Sequence, residues 1–324
     1  MRGFVLACLA GSGCLCAAAP AADKQAWTPI SDRVLAQVKP GYPGKTAGVA
    51  VDPASGDVYM VVPDQGLWKS TDRGETFARV DGGKVGGRCE TGFALQFDPA
   101  GKRLMCFMIY GGSAWTADSG QSWTASKSSH LDFGGVDWGE TGKCFLALRH
   151  ESGGVLTLST DGGQTWKDLQ KGFKQLGLFS GKVLLAGRGQ GIERSEDGGE
   201  TWAKVSDAAP LASVMQTRGG VGYWLTDQGL LISRDQGRTW RPLGPSVAAI
   251  VGPYFGASAE HLVVVGKTGF QESKDGGQSW QVVAPLPDKF TVGGVGPNYA
   301  WDPHADIFYA SSMGKDTLRY IRQP

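Results

Sequence analysis

The sequence has little from which to build a metal or redox centre. It holds four histidines and six cysteines in 324 residues, and Cys8, Cys14 and Cys16 fall within the first 21. The other three, Cys89, Cys106 and Cys144, are scattered and lack paired histidines, which is not the spacing of a zinc site. An odd count in an oxidising compartment allows at most one disulfide, and buried small apolar positions are their expected role. No metal or cofactor is expected. Charge of one sign is also missing: 32 Lys and Arg face 31 Asp and Glu. Removing residues 1–21 removes Arg2 and leaves 31 of each sign. That balance gives no support for a nucleic-acid or anionic-membrane partner. A long apolar run is absent too. The stretch at 4–10 is too short to span a membrane, and glycines break it soon after. Following Arg2 and preceding Ala19-Pro20-Ala21, it has the form of a secretory signal, so a leader at 1–21 and a mature chain at 22–324 are expected. Gly11 stands where a lipoprotein signal has Leu three residues before its cysteine, here Cys14, so lipidation is the lesser alternative.

Glycine and repetition are what the chain has. Its 50 glycines accompany ordinary apolar and aromatic content, which fits many tight turns rather than disorder. Six copies of one eight-residue pattern occupy 70–77, 116–123, 159–166, 195–202, 233–240 and 273–280. Each carries Ser or Thr first, Asp third, Gly fifth, Thr or Ser seventh and an aromatic eighth. The aspartates are Asp72, Asp118, Asp161, Asp197, Asp235 and Asp275, at steps of 46, 43, 36, 38 and 40 residues. A period near 40 marks one repeated supersecondary unit. Strand-like runs flank each copy, so the pattern sits at a hairpin turn. The Asp is expected to accept backbone N–H groups about two residues on, and the Gly to supply a positive φ. The aromatic is expected to cover the neighbouring hairpin. Around each copy four strands are expected, for example 134–138, 144–149, 155–159 and 165–169. Four-stranded units repeated radially make propeller blades.

Six copies account for six blades, and the ends supply a seventh. Residues 300–309 echo 50–59, but the chain stops before a further copy. The missing strand is found in Trp27-Thr28-Pro29-Ile30, which matches the segments starting at Trp166, Trp202, Trp240 and Trp280. The fold class expected is therefore all-β: a single seven-bladed β-propeller closed by an N-terminal strand that completes the last blade. Such closure removes two sheet edges and ties down the termini.

The eight-residue pattern resembles the Asp-box, or bacterial neuraminidase, repeat S-x-D-x-G-x-T-W. That repeat occurs in sialidases, xyloglucan-cleaving hydrolases, sortilin-type receptors and photosystem II assembly factors. The resemblance implies that the six aspartates are turn staples on the rim, away from the ligand face. With the leader, it implies a periplasmic or secreted bacterial protein. Departures from the hydrolases are specific. The Arg-Ile-Pro segment of sialidases is absent, and Arg322 precedes only Gln323-Pro324. Xyloglucanases pair two propellers, whereas this chain supplies one. The assembly-factor comparison fits size, blade count and leader.

In propellers the ligand face is built by the loops between blades and by those joining second to third strands. That rule places Arg88, Glu90, His130 and Asp132 in inter-blade loops. It places Tyr110, Arg149, His150, Glu151, Arg188, Asp227 and Lys267 in the others. Arg88, Arg149 and Arg188, from successive blades, are the candidates to converge on an acidic ligand, with Glu90 beside them. Guanidinium forks match a carboxylate, and sialidases use three arginines in this way. Glu90 or Glu151 is the candidate acid or base, and His130, His150 and His304 lack ligand spacing. Two functions stay open. One is a non-catalytic binding or assembly scaffold of the bacterial envelope, a monomer with a protein or carbohydrate partner. The other is a carbohydrate-active enzyme, a sialidase-like glycoside hydrolase or a polysaccharide lyase.

Overall fold

A computed structural model describes residues 26–89, 91–128, 130–139, 142–293 and 297–323. The leader at 1–21 and Glu90 lie outside them. Twenty-eight strands form seven four-stranded antiparallel sheets arranged as blades. In blades 1 to 6 the strands follow chain order from channel to rim. Blade 3, for instance, runs Leu131–Asp137, Cys144–Arg149, Leu156–Ser159 and Lys167–Asp168. In blade 7, Asn298–Asp302, Ile307–Ser311 and Leu318–Ile321 are completed by Thr28–Pro29 from the other end of the chain. Thr28 pairs with Arg319 and Pro29 with Leu318, so the expected closure is present.

Hydrophobic burial sets this order. Second and third strands lie between neighbouring blades, and runs such as Val58–Val62 and Leu262–Gly266 are buried throughout. They are continuous apolar stretches, as strands covered on both faces require. Aromatic pairs join blade to blade: Tyr59 to Phe97 at 5.1 Å, Phe107 to Phe145 at 6.5 Å and Phe270 to Phe308 at 4.8 Å. Outermost strands are short and exposed, as in Ala78–Arg79 and Lys167–Asp168. Short charged edges discourage pairing with other chains.

Each eight-residue copy forms the turn between third and fourth strands. In blade 3 the Ser159 hydroxyl donates to Asp161 Oδ1 at 2.9 Å and accepts the Gly163 N–H at 2.9 Å. Asp161 Oδ1 also accepts the N–H groups of Gln164 and Thr165, and Oδ2 accepts the Thr165 hydroxyl at 2.6 Å. The aspartate thus reaches three and four residues on, further than the expected two, because the loop folds back over it. The indole N–H of Trp166 closes onto the Gly163 carbonyl at 3.1 Å. These donors hold the carboxyls of Asp72, Asp118, Asp161, Asp235 and Asp275 down at about 2, and that of Asp197 lower still, the hydroxyl of the seventh residue first among the causes.

The closing strand is latched to blade 1. Glu75 accepts from Arg319 at 2.7 Å and from Arg33 at 2.8 Å. Ser31 donates to Asp316, and Arg73 pairs with the buried Asp302 at 2.9 Å. Ile30 is fully buried and packs with Val49, Val58 and Ile307. Cys89, Cys106 and Cys144 are buried thiols with no disulfide among them. Burial pushes the Cys144 thiol up to about 12 and that of Cys106 beyond it. Among the described residues no helix is long and apolar enough to cross a membrane.

Candidate functional site

The turns carrying the six aspartates lie on one face of the ring. On the other, the loop after blade 1 and the second-to-third strand loops of blades 2 and 3 bring cationic and aromatic side chains together. Arg88 stands between two rings, its guanidinium carbon 5.0 Å from the Tyr42 centroid and 4.8 Å from that of Tyr110. Stacking of this kind uses the negative face of the ring. The loop is pinned because the Ile109 N–H donates to the Arg88 carbonyl at 3.0 Å. Tyr110 then meets His130 edge-on at 5.0 Å and His150 at 5.5 Å. Tyr42 is 71% exposed and Tyr110 39%. Large apolar rings at such exposure are the surface feature that calls for explanation.

Behind the rings sits a titratable trio. His150 Nδ1 is 2.6 Å from Asp132 Oδ1, and its Nε2 is 3.6 Å from Glu151. Burial pushes the Asp132 carboxyl up, and the charge of Glu151 adds to this, against the hydrogen bond from His150. His130 and Glu151 both adopt left-handed backbone, at φ 58° and 51°. Two such non-glycine residues in one cluster are a form of strain that concentrates at functional sites. A recess of about 440 Å³, lined by Lys127, Ser128, His130, Arg149, Gln164 and Trp166, continues from His130 along the seam of blades 2 and 3.

Of the three arginines expected to converge, Arg149 and Arg188 each have local partners of their own. Arg149 Nε binds Asp168 on the outermost strand of blade 3, at 2.5 Å. Arg188 binds Glu193, the Lys171 carbonyl and Gln170, and stacks on Phe173. Arg149 is held by an acceptor on an outermost strand, and Arg188 by Glu193 on a third strand and by acceptors in the loop between blades 3 and 4, whereas Arg88 lies in the aromatic cluster. Asp227 accepts the Ala209 N–H, Lys267 lies exposed in a turn, and His304 meets the Pro53 carbonyl on the opposite face.

A second feature lies in the central channel. Gly135 and Gly177 let the first strands of blades 3 to 5 close up: a Cβ would come within 2.7 Å of Leu178 at the first and 2.6 Å of Met215 at the second. That side of the channel is narrowed to a void of about 20 Å³. The side toward blades 1, 2, 5, 6 and 7 keeps a cavity of about 140 Å³. A register shift between Val251 and Tyr254 re-aims the residues of blade 6 that line it.

No protein-family model matches the chain, and no curated protein matches it. Solved structures show where the ring belongs by shape. A structure of YCF48 bound to D1 peptide is similar with a TM-score of 0.50 and 17% identity, covering 94% of this chain and 98% of that one. YCF48 from Cyanidioschyzon merolae gives 0.50 at 13% identity, covering 92% and 98%. The Cps50 (Swd1) β-propeller domain from Myceliophteria thermophila gives 0.57 at 12% identity, covering 86% and 97%. The chain is a seven-bladed β-propeller. Identities this low establish the fold alone, so function rests on the side chains.

Two parts of the site escape a reading of motifs. Tyr42 lies in Gly41-Tyr42-Pro43-Gly44 before blade 1, where an aromatic in a Gly/Pro turn was the available signal. Gln96 interrupts an otherwise apolar first strand and Gln216 opens the polar first strand Gln216–Arg218, and both line the channel.

Proposed function

We propose that this propeller is a non-catalytic binding or assembly scaffold, exported to the bacterial envelope, that holds an extended acidic segment of a protein partner. The observation that carries this reading is the exposed stack of Tyr42, Arg88 and Tyr110, continued through His130 into the recess beside Lys127 and Arg149. Tyrosine and arginine are the residues on which interfaces concentrate binding energy. The similar YCF48 structure was solved with a peptide, which supports a protein segment as the ligand. The boxed turns resemble Asp-box repeats and serve as staples, leaving the opposite face for the partner.

The test is photo-crosslinking in cells from a benzophenone amino acid at Tyr110, with Val282 on the outer strand of blade 6 as control. A discrete adduct with one exported protein is expected from Tyr110 only. A peptide spanning the crosslinked segment should then bind the mature chain, and Arg88→Ala should weaken it by about 1.5–3 kcal/mol, the range for a charge-assisted hydrogen bond. Equal, diffuse crosslinking from both positions would overturn the reading.

The carbohydrate-active alternative has one observation in its favour. Asp132, its carboxyl raised by burial, shares His150 with Glu151, an arrangement suited to acid–base work. Turnover of sialosides or polysaccharides that is lost in Asp132→Asn would establish it.

A further inference from the structure

The channel cavity has a chemical character of its own. Phe97, Phe255 and Trp301 contribute rings to its wall, and among the described residues no carboxylate lines it. Two glutamines are among the polar groups of that wall. The Gln96 Nε2 donates to the Phe93 carbonyl at 3.2 Å, and Gln216 Nε2 donates to the Val214 carbonyl at 3.4 Å. Those backbone carbonyls take the amide nitrogens, so the amide oxygens of these two lining residues remain as acceptors. The cavity therefore offers acceptors within an aromatic wall.

Arg218 stands at the mouth. Its guanidinium donates to the carbonyls of Gly256, Ala257 and Ser258 and stacks on Phe255 at 5.4 Å. A cationic ligand would meet this charge, and among the described residues the wall of the cavity itself supplies no carboxylate against it. An anion would meet the two amide oxygens once inside. A saturated hydrocarbon would leave both oxygens without a donor, which costs free energy in a dry site. Size narrows the choice further. A cavity near 140 Å³ is on the scale of the engineered apolar cavity that takes up one benzene.

We propose that the central cavity binds a single neutral aromatic ring carrying one hydrogen-bond donor, a ligand of the phenol class. The ring would lie among Phe97, Phe255 and Trp301 and donate to the amide oxygen of Gln216 or Gln96. The cavity opens at Pro53, Pro99 and Gly256, beside the first-to-second strand turns, and so on the face away from the Tyr42–Arg88–Tyr110 stack. The ligand need not be the one proposed for that stack.

The test uses the mature chain and three probes of similar size, p-cresol, toluene and benzylamine, in calorimetry and saturation-transfer NMR. Saturable binding of p-cresol is expected, about threefold to tenfold tighter than toluene, the factor one neutral hydrogen bond supplies. Benzylamine, cationic at neutral pH, should not saturate. Gln216→Met keeps the volume and removes the acceptor, so it should narrow the gap between p-cresol and toluene. Gln96→Met serves the same purpose if the first variant melts early. N-acetyltyrosinamide separates two sources of the ring. Binding as tight as p-cresol points to a tyrosine offered by a protein, and no binding points to a free small molecule. Toluene binding as tightly as p-cresol, or p-cresol failing to saturate, would overturn the proposal.

Discussion

Ser119 follows the aspartate of its turn and sits in left-handed backbone at φ 59°, as do Arg73 at 60° and Gln236 at 58°. The other three copies place Gly162, Gly198 and Gly276 there, at 74°, 75° and 70°. A side chain in that region costs roughly 1–2 kcal/mol, against which glycine loses up to about 1 kcal/mol of backbone entropy. Ser119→Gly should therefore raise the stability by about 0.5–1 kcal/mol in a urea titration. Arg73 is no such candidate, because its side chain holds the buried Asp302. The opposite effect is expected at Ser195, whose buried hydroxyl donates to Asp197 at 2.7 Å and accepts the Gly199 N–H at 2.8 Å. Ser195→Ala strands that N–H and should cost about 1–3 kcal/mol. A destabilised Ser119→Gly together with a neutral Ser195→Ala would mean that the turn is not held by this network.

The closing strand is the element on which the ring depends. Its two paired residues contribute little by themselves, but Ile30 behind them is fully buried and seats against Gly74, where an added Cβ would lie 2.9 Å from it. Ile30→Ala should cost about 2–5 kcal/mol, the usual range for truncating a buried Ile, read as a lower urea midpoint. Deleting residues 22–31 should cost more, since it also removes the Ser31 hydrogen bond to Asp316 and reopens a sheet edge. An unchanged midpoint in both variants would show that the ring stands without its closure. This element was legible in the sequence because Trp27-Thr28-Pro29-Ile30 repeats the other fourth strands, and a hairpin period is a local signal. The latch was not legible. Glu75 joins Arg33 and Arg319 across 42 and 244 residues, and nothing local to Glu75 announces either partner.

At the scale of the molecule, blade count and closure follow from repetition, whereas the face-level chemistry does not. The register correctly put Arg88 and Tyr110 in loops of one face, but side-chain direction there depends on nearby acceptors. Asp168, on an exposed edge strand, takes Arg149, and Glu193, on the third strand of blade 4, takes Arg188, and neither strand's sequence announces the pairing. The channel was hidden for a related reason: its walls are first strands from five blades, and only the closed ring juxtaposes them. Repetition has one further consequence, for acid stability. Six carboxyls, one in each repeated turn, are held at about 2 or lower in the folded protein, below their ordinary value of 3.8. A group depressed on folding contributes stability above its unfolded value and loses it as pH falls through the folded one. The six act over the same window, so stability should be flat from about pH 7 to 5 and fall steeply between about pH 4 and 2. Glu75, held below its ordinary value by Arg319 and Arg33, adds to the same slope. Urea midpoints measured across that range at fixed ionic strength give the test. Asp161→Asn removes one titrating carboxyl, so its stability should be lower at pH 7 and its decline between about pH 4 and 2 shallower than that of the parent. A parent protein whose midpoint stays level down to about pH 2, or a variant whose decline matches it, would mean that the six turns do not share the burden of holding the ring together in acid.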